Sequence, residues 1–211
     1  MRKTAFVYDS ASSKSERDSI NIIQPTRLQY TFELLDSYGA FKLPGSHLVS
    51  PREVTESELL SYHTREYIEA VRGISKGDRR FNPHNYNFSE HGDNPPYPGM
   101  YEAALAAVGG SLAAAELIAQ DKADAAFNAG GGLHHAEPHG ASGFCIFNDI
   151  VIAINYLLGR GFRIVYIDID AHHGDGVQDA FYTTDQVLTI SIHEWGHLLF
   201  PGTGETNEIG D

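Results

Sequence analysis

The sequence predicts an α/β domain in which a parallel sheet carries helices on both faces. Strand-like and helix-like segments alternate through the second half of the 211-residue chain. The strand-like segments are continuous apolar runs, which are typical of parallel strands buried on both faces. Polar clusters follow these strands directly, at the sheet edge where ligands bind in such folds. These observations favour one domain over residues 1–211.

Each predicted element has its own local signal. The strands are short apolar runs, the helix over 58–71 has apolar residues at helical spacing, and the helix over 101–120 is rich in alanine. Pro25 lies near the start of the first predicted helix, while Asn148 precedes the last one as a cap and Gly159 follows it. The predicted strands are residues 5–8, 123–128, 163–170 and 187–192. The predicted helices are residues 24–35, 58–71, 101–120 and 148–158.

Two segments depart from this regular pattern. Residues 74–98 are rich in Asn, Gly, Pro and Asp, so we expect a long surface loop there. Gly109 and Gly110 lie in the middle of an Ala-rich helix and are expected to weaken its centre.

The net charge of the chain limits the kinds of binding partner that we expect. The chain has 28 Asp and Glu residues against 15 Lys and Arg residues, a net charge of −13. Direct binding to nucleic acid is not expected, because phosphate backbones are bound by basic patches. An acidic surface favours basic partners such as lysine-rich peptides or polyamines, although solubility alone also accounts for the charge.

The cysteine content and the N-terminal sequence indicate which cellular compartment to expect for the protein. Cys145 is the only cysteine, which excludes an intrachain disulfide and fits a reducing cytosol. The first residues lead into no long apolar stretch, so we expect neither a signal peptide nor a membrane span. The sequence therefore favours a cytoplasmic protein.

The densest polar cluster is D-I-D-A-H-H-G-D-G at residues 168–176, directly after an apolar strand. Alternation along the strand places Asp168 and Asp170 on one side, and His172 lies just beyond. A carboxylate and an imidazole together suit zinc or another borderline divalent metal. A strand end capped by ordinary polar turn residues does not require so many aspartates and histidines, so the cluster favours a metal site.

A second cluster is the glycine-rich loop 128–135, which ends in His134 and His135. Glycines let the backbone turn tightly and approach a ligand closely. Adjacent histidines can serve as ligands or as acid/base groups, although alone such a pair is more often a surface feature. Cys145, in the next segment, is interpreted as a packing residue rather than a nucleophile, because a lone buried cysteine is usually inert.

Four ordered blocks resemble the signature blocks of the histone deacetylase and acetoin-utilisation family. They are G-G-L-H-H-A at 131–136, A-S-G-F-C at 141–145, D-I-D-A-H-H-G-D-G at 168–176 and F-P-G-T-G at 200–204. A weaker similarity extends back through residues 62–64 and covers most of the chain. The resemblance implies an arginase/deacetylase-like fold and a zinc-dependent deacetylase that acts on acetylated lysine peptides, proteins or polyamines.

The resemblance also assigns catalytic roles. Asp170 and His172 correspond to two of the family's three metal ligands. His135 corresponds to the general base, and His134 to the neighbouring histidine that stabilises the transition state. The carboxylates that correspond to the partners of these two histidines are Asp168 and Asp175.

Substrate and cation sites are implied in the same way. Gly143, Phe144 and Phe200 correspond to walls of a narrow tunnel for the acyl-lysine stem, and Asp93 to a rim aspartate that holds the substrate backbone. An inner potassium site would use Asp168, Asp170, His172, Ser191 and Ile192. An outer potassium site would use Phe181, Thr184 and Val187.

Two other metal chemistries fit less well. Residues 193–197 read H-E-W-G-H, the zinc-protease pattern, but that pattern requires a helix. Here it follows a strand and contains Gly196, with Pro201 close behind, so a long helix is disfavoured. Arginase-like relatives use two manganese ions and an additional aspartate two positions after the metal histidine. That position is Gly174, which favours one metal.

The resemblance further implies that the family's third metal ligand and catalytic tyrosine come later than Asp211. We therefore expect this chain to correspond to the N-terminal two-thirds of a deacetylase domain, which would be incomplete here and would not reach the parent's rate. An exposed sheet edge would favour self-association. A non-catalytic binding or assembly module of the same fold is the alternative.

Overall fold

The computed structural model describes residues 2–9, 26–196 and 198–210. The strands in these ranges are β1 (Thr4–Val7), β2 (Ser46–Val49), β3 (Ala125–Asn128), β4 (Ile164–Asp168) and β5 (Val187–Ser191). The α-helices are α1 (Thr26–Ser37), α2 (Glu56–Leu59), α3 (Arg65–Ser75), α4 (Met100–Ala119), α5 (Asp149–Leu158) and α6 (Asp175–Phe181). Short 3₁₀ turns occur at Ala40–Lys42 and Pro83–Tyr86. The predicted helix residues Gln24 and Pro25 lie outside the described residues.

The described strand pairs are all parallel and form two hydrogen-bonded groups. β1 lies between β2 and β3, whereas β4 pairs with β5. Asn128 and Asp168 occupy the carboxyl ends of β3 and β4. The predicted α/β class with a parallel sheet is confirmed, and the polar clusters follow the strand ends, where open α/β sheets bind their ligands.

Helix α4 lies at the centre of the core. It packs against α5, α3, β1 and β3, and its Val108 and Leu112 are fully buried in the same cluster as Phe147. By length and composition α4 is also apolar enough to cross a bilayer. Its packing against the helices and strands around it is that of a core helix in a folded domain.

The two glycines in the middle of α4 allow close approach of neighbouring chain. A Cβ on Gly109 would lie 2.2 Å from the carbonyl oxygen of Arg52, and one on Gly110 would lie 2.6 Å from the side-chain amide of Asn128. The helix continues without interruption through both positions. The predicted weakening is therefore not a break: contact with residue 52 and with β3 requires small residues here.

The segment predicted as one helix over residues 58–71 forms two helices. α2 ends at Leu59, and α3 starts after Thr64, whose side chain accepts a hydrogen bond from the backbone N–H of Tyr67 at 3.2 Å. His63 lies buried in the turn between them. The prediction was wrong because apolar spacing continues across the turn, while tertiary contacts of His63 fix it.

The other predicted element boundaries differ less from those in the structure. The predicted loop 74–98 starts later, since α3 extends to Ser75, and it contains the turn Pro83–Tyr86. Strand β2 and helix α6 have no counterpart among the predicted elements. β2 is short and half exposed, and α6 directly follows the polar cluster, where polar composition conceals the helix.

The β4–β5 pair has one buried and one exposed face. Side chains on one face belong to a cluster that includes Val151, Val177 and Val187. The alternate residues are apolar but exposed: Val165, Ile167, Leu188 and Ile190. This face therefore presents a continuous apolar surface to solvent.

Candidate active site

The loop after β3 brings His134 and His135 together beneath the ends of the strands. His134 donates from Nδ1 to Asp168 at 2.5 Å, and His135 donates from Nδ1 to Asp175 at 2.6 Å. The ring centroids are 3.9 Å apart, and both histidines are buried. Because an ionised carboxylate can only accept, these bonds place the hydrogen on Nδ1 and leave Nε2 to accept a proton.

The charges within the first pair are strongly coupled. Burial opposes ionisation of Asp168, but hydrogen bonds from His134 and Tyr166 outweigh it and lower the pKa of Asp168 to about 2. Burial also disfavours the imidazolium of His134, yet the hydrogen bond to Asp168 and the negative charges of Asp168, Asp170 and Asp175 together outweigh this effect and raise the pKa of His134. The pair therefore favours a positive charge on His134 next to the ring of His135.

The two candidate metal ligands, Asp170 and His172, follow Asp168 at the end of β4. His172 approaches Asp170 with its backbone N–H at 2.8 Å and with Nδ1 at 3.0 Å from the same carboxylate oxygen. Their side chains are 40% and 52% exposed, unlike the buried histidine pair, so an ion could reach both. The ring centroid of His172 is 6.0 Å from that of His135.

The donor set fits a divalent ion in part. A carboxylate and an imidazole with adjacent donor atoms suit zinc, and catalytic zinc sites normally have three protein ligands. Over residues 2–9, 26–196 and 198–210, no group of three or more metal-ligating His, Cys, Asp or Glu side chains occurs. If a zinc ion binds here, Asp170 and His172 would supply two of the three expected donors.

An aromatic wall lies against the general-base candidate. The ring centroid of Phe200 is 4.8 Å from that of His135, in an edge-on arrangement. A Cβ on Gly143 would approach the His135 ring to 2.5 Å and the Phe200 ring to 2.8 Å, so only glycine fits between them. Phe144 follows with a left-handed backbone, φ 68°. Gly143 and Phe200 therefore both lie against the His135 ring, and their role as tunnel walls stays a prediction.

The remaining predicted positions are partly brought together. At the predicted inner potassium site, Asp168 lies opposite Ser191 across β4–β5, and the N–H of Ile192 donates to the Asp168 carbonyl at 2.9 Å. At the outer site, Thr184 donates its N–H to the carbonyl of Phe181 at 3.3 Å, ahead of β5. Asp93 is exposed; its role and both potassium sites stay predictions.

The H-E-W-G-H segment is not helical in its described part, residues 193–196. His193 instead makes hydrogen bonds to the end of β5 and to the loop that follows. Its Nδ1 bonds to the Ser191 hydroxyl at 2.8 Å, and its Nε2 donates to the Gly204 carbonyl at 3.1 Å. His197 lies outside the described residues. The local backbone thus agrees with the argument against a zinc-protease helix.

Sequence reasoning missed the residues that hold the site in place. Tyr166 donates its hydroxyl hydrogen to Asp168, and Nδ1 of His173 makes a hydrogen bond with the Thr203 hydroxyl at 2.8 Å. Asn148 and Asp149 contact the loop that carries the histidine pair. Alternation along β4 could have placed Tyr166 on the side of Asp168, but the other contacts join distant segments and leave no local signal.

Fold and site together define a parallel α/β protein with two histidine–carboxylate pairs and a candidate metal pair at the carboxyl ends of its strands. The family model described as the histone deacetylase domain matches residues 21–211. The chain belongs to the histone deacetylase family.

Sequence identity to individual relatives supports this family assignment. The chain is 39% identical to Type-1 histone deacetylase 1 of Dictyostelium discoideum, with 99% of this chain and 42% of the relative covered. Histone deacetylase RPD3 of Saccharomyces cerevisiae is also 39% identical, with 99% and 48% covered. Histone deacetylase 1 of Homo sapiens is 39% identical, with 99% and 43% covered. The chain thus spans less than half the length of these relatives.

Proposed function

We propose that the protein is a metal-dependent deacetylase that hydrolyses the amide of acetyl-lysine or of another acetylated amine. The observation that carries this proposal is the cluster at the strand ends: two buried histidine–carboxylate pairs beside a partly exposed carboxylate–imidazole pair. Amide hydrolysis needs a base for water, a stabilised oxyanion and a polarised carbonyl. The cluster contains candidate groups for each task.

Asp170 and His172 would hold the ion, with a third ligand from outside the described residues. Zinc is proposed because carboxylate and imidazole donors suit it, and when bound it polarises a carbonyl and acidifies water. The position of Gly174, rather than an aspartate, favours one ion per domain.

His135 is proposed as the general base. Its Nε2 accepts a proton from the attacking water, while Asp175 on Nδ1 orients the ring and stabilises the resulting imidazolium. His134, whose pKa is raised beside Asp168, places positive charge near the developing oxyanion. The imidazolium of His135 would then return the proton to the departing amine as the C–N bond breaks, which yields acetate and a free amine.

The wall formed by Gly143 and Phe200 supports a slender, apolar substrate stem such as that of acyl-lysine. The edge-on phenyl ring of Phe200 and the absence of a side chain at Gly143 would form one apolar side of a channel for such a stem next to the base. The chain's net charge of −13 would attract lysine-rich peptides or polyamines to the entrance. We propose these acetylated amines as the substrate class.

The experiment changes His135 to Ala in the full-length protein and measures turnover and bound metal together. Turnover should fall roughly 100-fold or more, the usual scale for loss of a general base, with metal content unchanged. Asp170→Ala should lower metal content instead. His139→Ala, an exposed histidine four residues away, is the matched control and should change neither.

The substrate class is tested with the same protein on an acetyl-lysine peptide, an acetylpolyamine and a small acetylated amine. Metal loss in His135→Ala would show that the base and ligand assignments are wrong. Binding of these compounds without turnover by the metal-loaded, full-length protein would support the non-catalytic binding module instead.

A further inference from the structure

The N-terminus of α5 contacts the histidine loop on both sides of the histidine pair. Asn148 and Asp149 are both fully buried at this helix start. A polar helix start usually satisfies its own first N–H groups. Here most of the side-chain bonds of these two residues reach a different segment, the loop between β3 and residue 136.

Asp149 holds the loop before the histidines. Its carboxylate accepts from the backbone N–H of Leu133 at 2.8 Å and from that of Gly132 at 3.1 Å. The hydroxyl of Ser111 on α4 donates to it as well, at 2.5 Å. The acid thus ties α4 and α5 to the two residues that immediately precede His134.

Asn148 holds the loop after the first histidine. Its side-chain amide donates to the carbonyls of His134 at 3.1 Å and Ala136 at 3.2 Å. Its backbone N–H donates to Nε2 of His63 at 3.0 Å, and Nδ1 of His63 donates to the Glu137 carbonyl at 3.0 Å. The loop is therefore fixed at residues 132–133 and again at 134–137.

Asp149 and Ser111 also pack closely against the loop at Gly131. A Cβ on Gly131 would lie 2.4 Å from the Asp149 carboxylate and 2.7 Å from the Ser111 hydroxyl. Asn128 at the end of β3 donates to that hydroxyl at 2.9 Å. β3, α4, α5 and the loop thus meet at one polar network, which leaves no room for a side chain at residue 131.

A buried carboxylate is costly unless hydrogen bonds compensate it. Burial raises the pKa of Asp149, and the bonds from Ser111, Leu133 and Gly132 oppose that rise. A negative charge in the first turn also favours a helix. That effect, however, does not depend on accepting N–H groups from another segment, which is where two of the acid's bonds are made.

We propose that Asp149 is a positioning residue that sets the placement of His134 and His135 by holding the loop in front of them. The imidazoles must lie within hydrogen-bond distance of Asp168 and Asp175, and a small shift of the loop would lengthen both bonds. The catalytic consequence rests on the proposed deacetylase function. The effect on the positions of His134 and His135 is a property of the fold, and it can be measured without deacetylase activity.

The test replaces Asp149 with Asn, which keeps the shape but supplies only one acceptor oxygen for three donors. The first readout is the set of histidine Nδ1–H proton resonances in this chain, assigned with His134→Gln and His135→Gln. We expect the resonances bonded to Asp168 and Asp175 to shift or broaden in folded Asp149→Asn. Ser111→Ala, which removes one donor, should give a smaller change in the same direction.

Two controls separate positioning from general loss of stability. Glu66→Gln removes a carboxylate from the first turn of α3 and should leave the histidine resonances unchanged. Val71→Ala creates a cavity in the buried core away from the loop and serves as a comparison with lowered stability. If Asp149→Asn does not fold, the Ser111→Ala spectrum decides the question.

The second readout is turnover by the full-length protein. A misplaced base should lower kcat about 10- to 100-fold with little change in KM. Unchanged histidine resonances in folded Asp149→Asn or, in its absence, in Ser111→Ala would overturn the proposal. Shifted resonances in a full-length protein that shows no deacetylase activity would support positioning while rejecting the proposed function.

Discussion

At the scale of single residues, sequence and structure agree best where chemistry requires a rare residue type. Asp168, Asp170 and His172 are conspicuous in the sequence, and the structure places them around the end of one strand. Asp149 is not conspicuous, because its function depends on burial and on two backbone N–H groups from a distant loop. Local sequence can suggest reactive groups but does not show what supports them.

His63 makes stability depend on pH. Burial lowers its pKa from 6.5 to about 4, so the folded protein binds this proton less readily than the unfolded chain. The unfolded chain therefore binds more protons between these values, and stability falls as pH falls from 6.5 to 4. Up to about 3 kcal/mol is lost in that window, with no further loss from this group below it.

The measurement is urea unfolding of the wild type and His63→Gln between pH 7 and 4. The variant should be less stable at pH 7 but should lose less stability on acidification. His139→Gln, at an exposed position, should follow the wild type. Parallel curves for wild type and His63→Gln would contradict the assignment.

Two neighbouring glycines test the packing of the histidine loop. Gly131→Ala should destabilise the fold by roughly 1–3 kcal/mol, because its Cβ would overlap the Asp149 carboxylate at 2.4 Å. Gly130→Ala is the matched control, since its Cβ would meet Asn128 at an ordinary 3.7 Å. Chemical denaturation compares the two, and equal stabilities would show that the network yields easily.

At the scale of elements, the parallel strands and the long helices are predictable and the breaks between helices are not. The strand at 163–170 and the helix at 148–158 appear close to their predicted bounds as β4 and α5. The prediction over 58–71 merges α2 and α3, since the apolar spacing does not reveal the turn. That turn depends on His63, whose partners Glu137 and Asn148 lie more than 70 residues away.

The start of α3 at Thr64 gives a direct test of this break. Thr64→Ala removes the side chain that accepts from the Tyr67 N–H and should cost about 1 kcal/mol of stability. Thr64→Gly should cost only a few tenths, because glycine is tolerated at the cap position. Thermal unfolding distinguishes the two, and an Ala variant at least as stable as the Gly variant would show that the helix does not begin here.

At the scale of the whole molecule, the parallel α/β class was predictable because it follows from the alternation of element types. The division of the strands into β2-β1-β3 and β4-β5 was not. Strand pairing depends on contacts between segments far apart in sequence, and apolar runs alone do not specify which strands are neighbours. The same runs do explain the apolar surface of β4–β5, since parallel strands are usually buried on both faces.

We propose that this surface causes the 211-residue chain to self-associate. Val165 and Ile167 are each 59% exposed and Leu188 is 57% exposed, so one face of β4–β5 presents adjacent apolar side chains to water. Burying one such side chain fully contributes roughly 1.5–3 kcal/mol. Ile167→Lys should therefore weaken association about tenfold or more, measured by sedimentation over a concentration series. Leu43→Lys, which adds the same charge at an exposed leucine away from this sheet, should associate like the wild type. A wild-type chain that stays monomeric throughout the series would reject the proposal, and equal weakening by both variants would assign the effect to net charge rather than to this face.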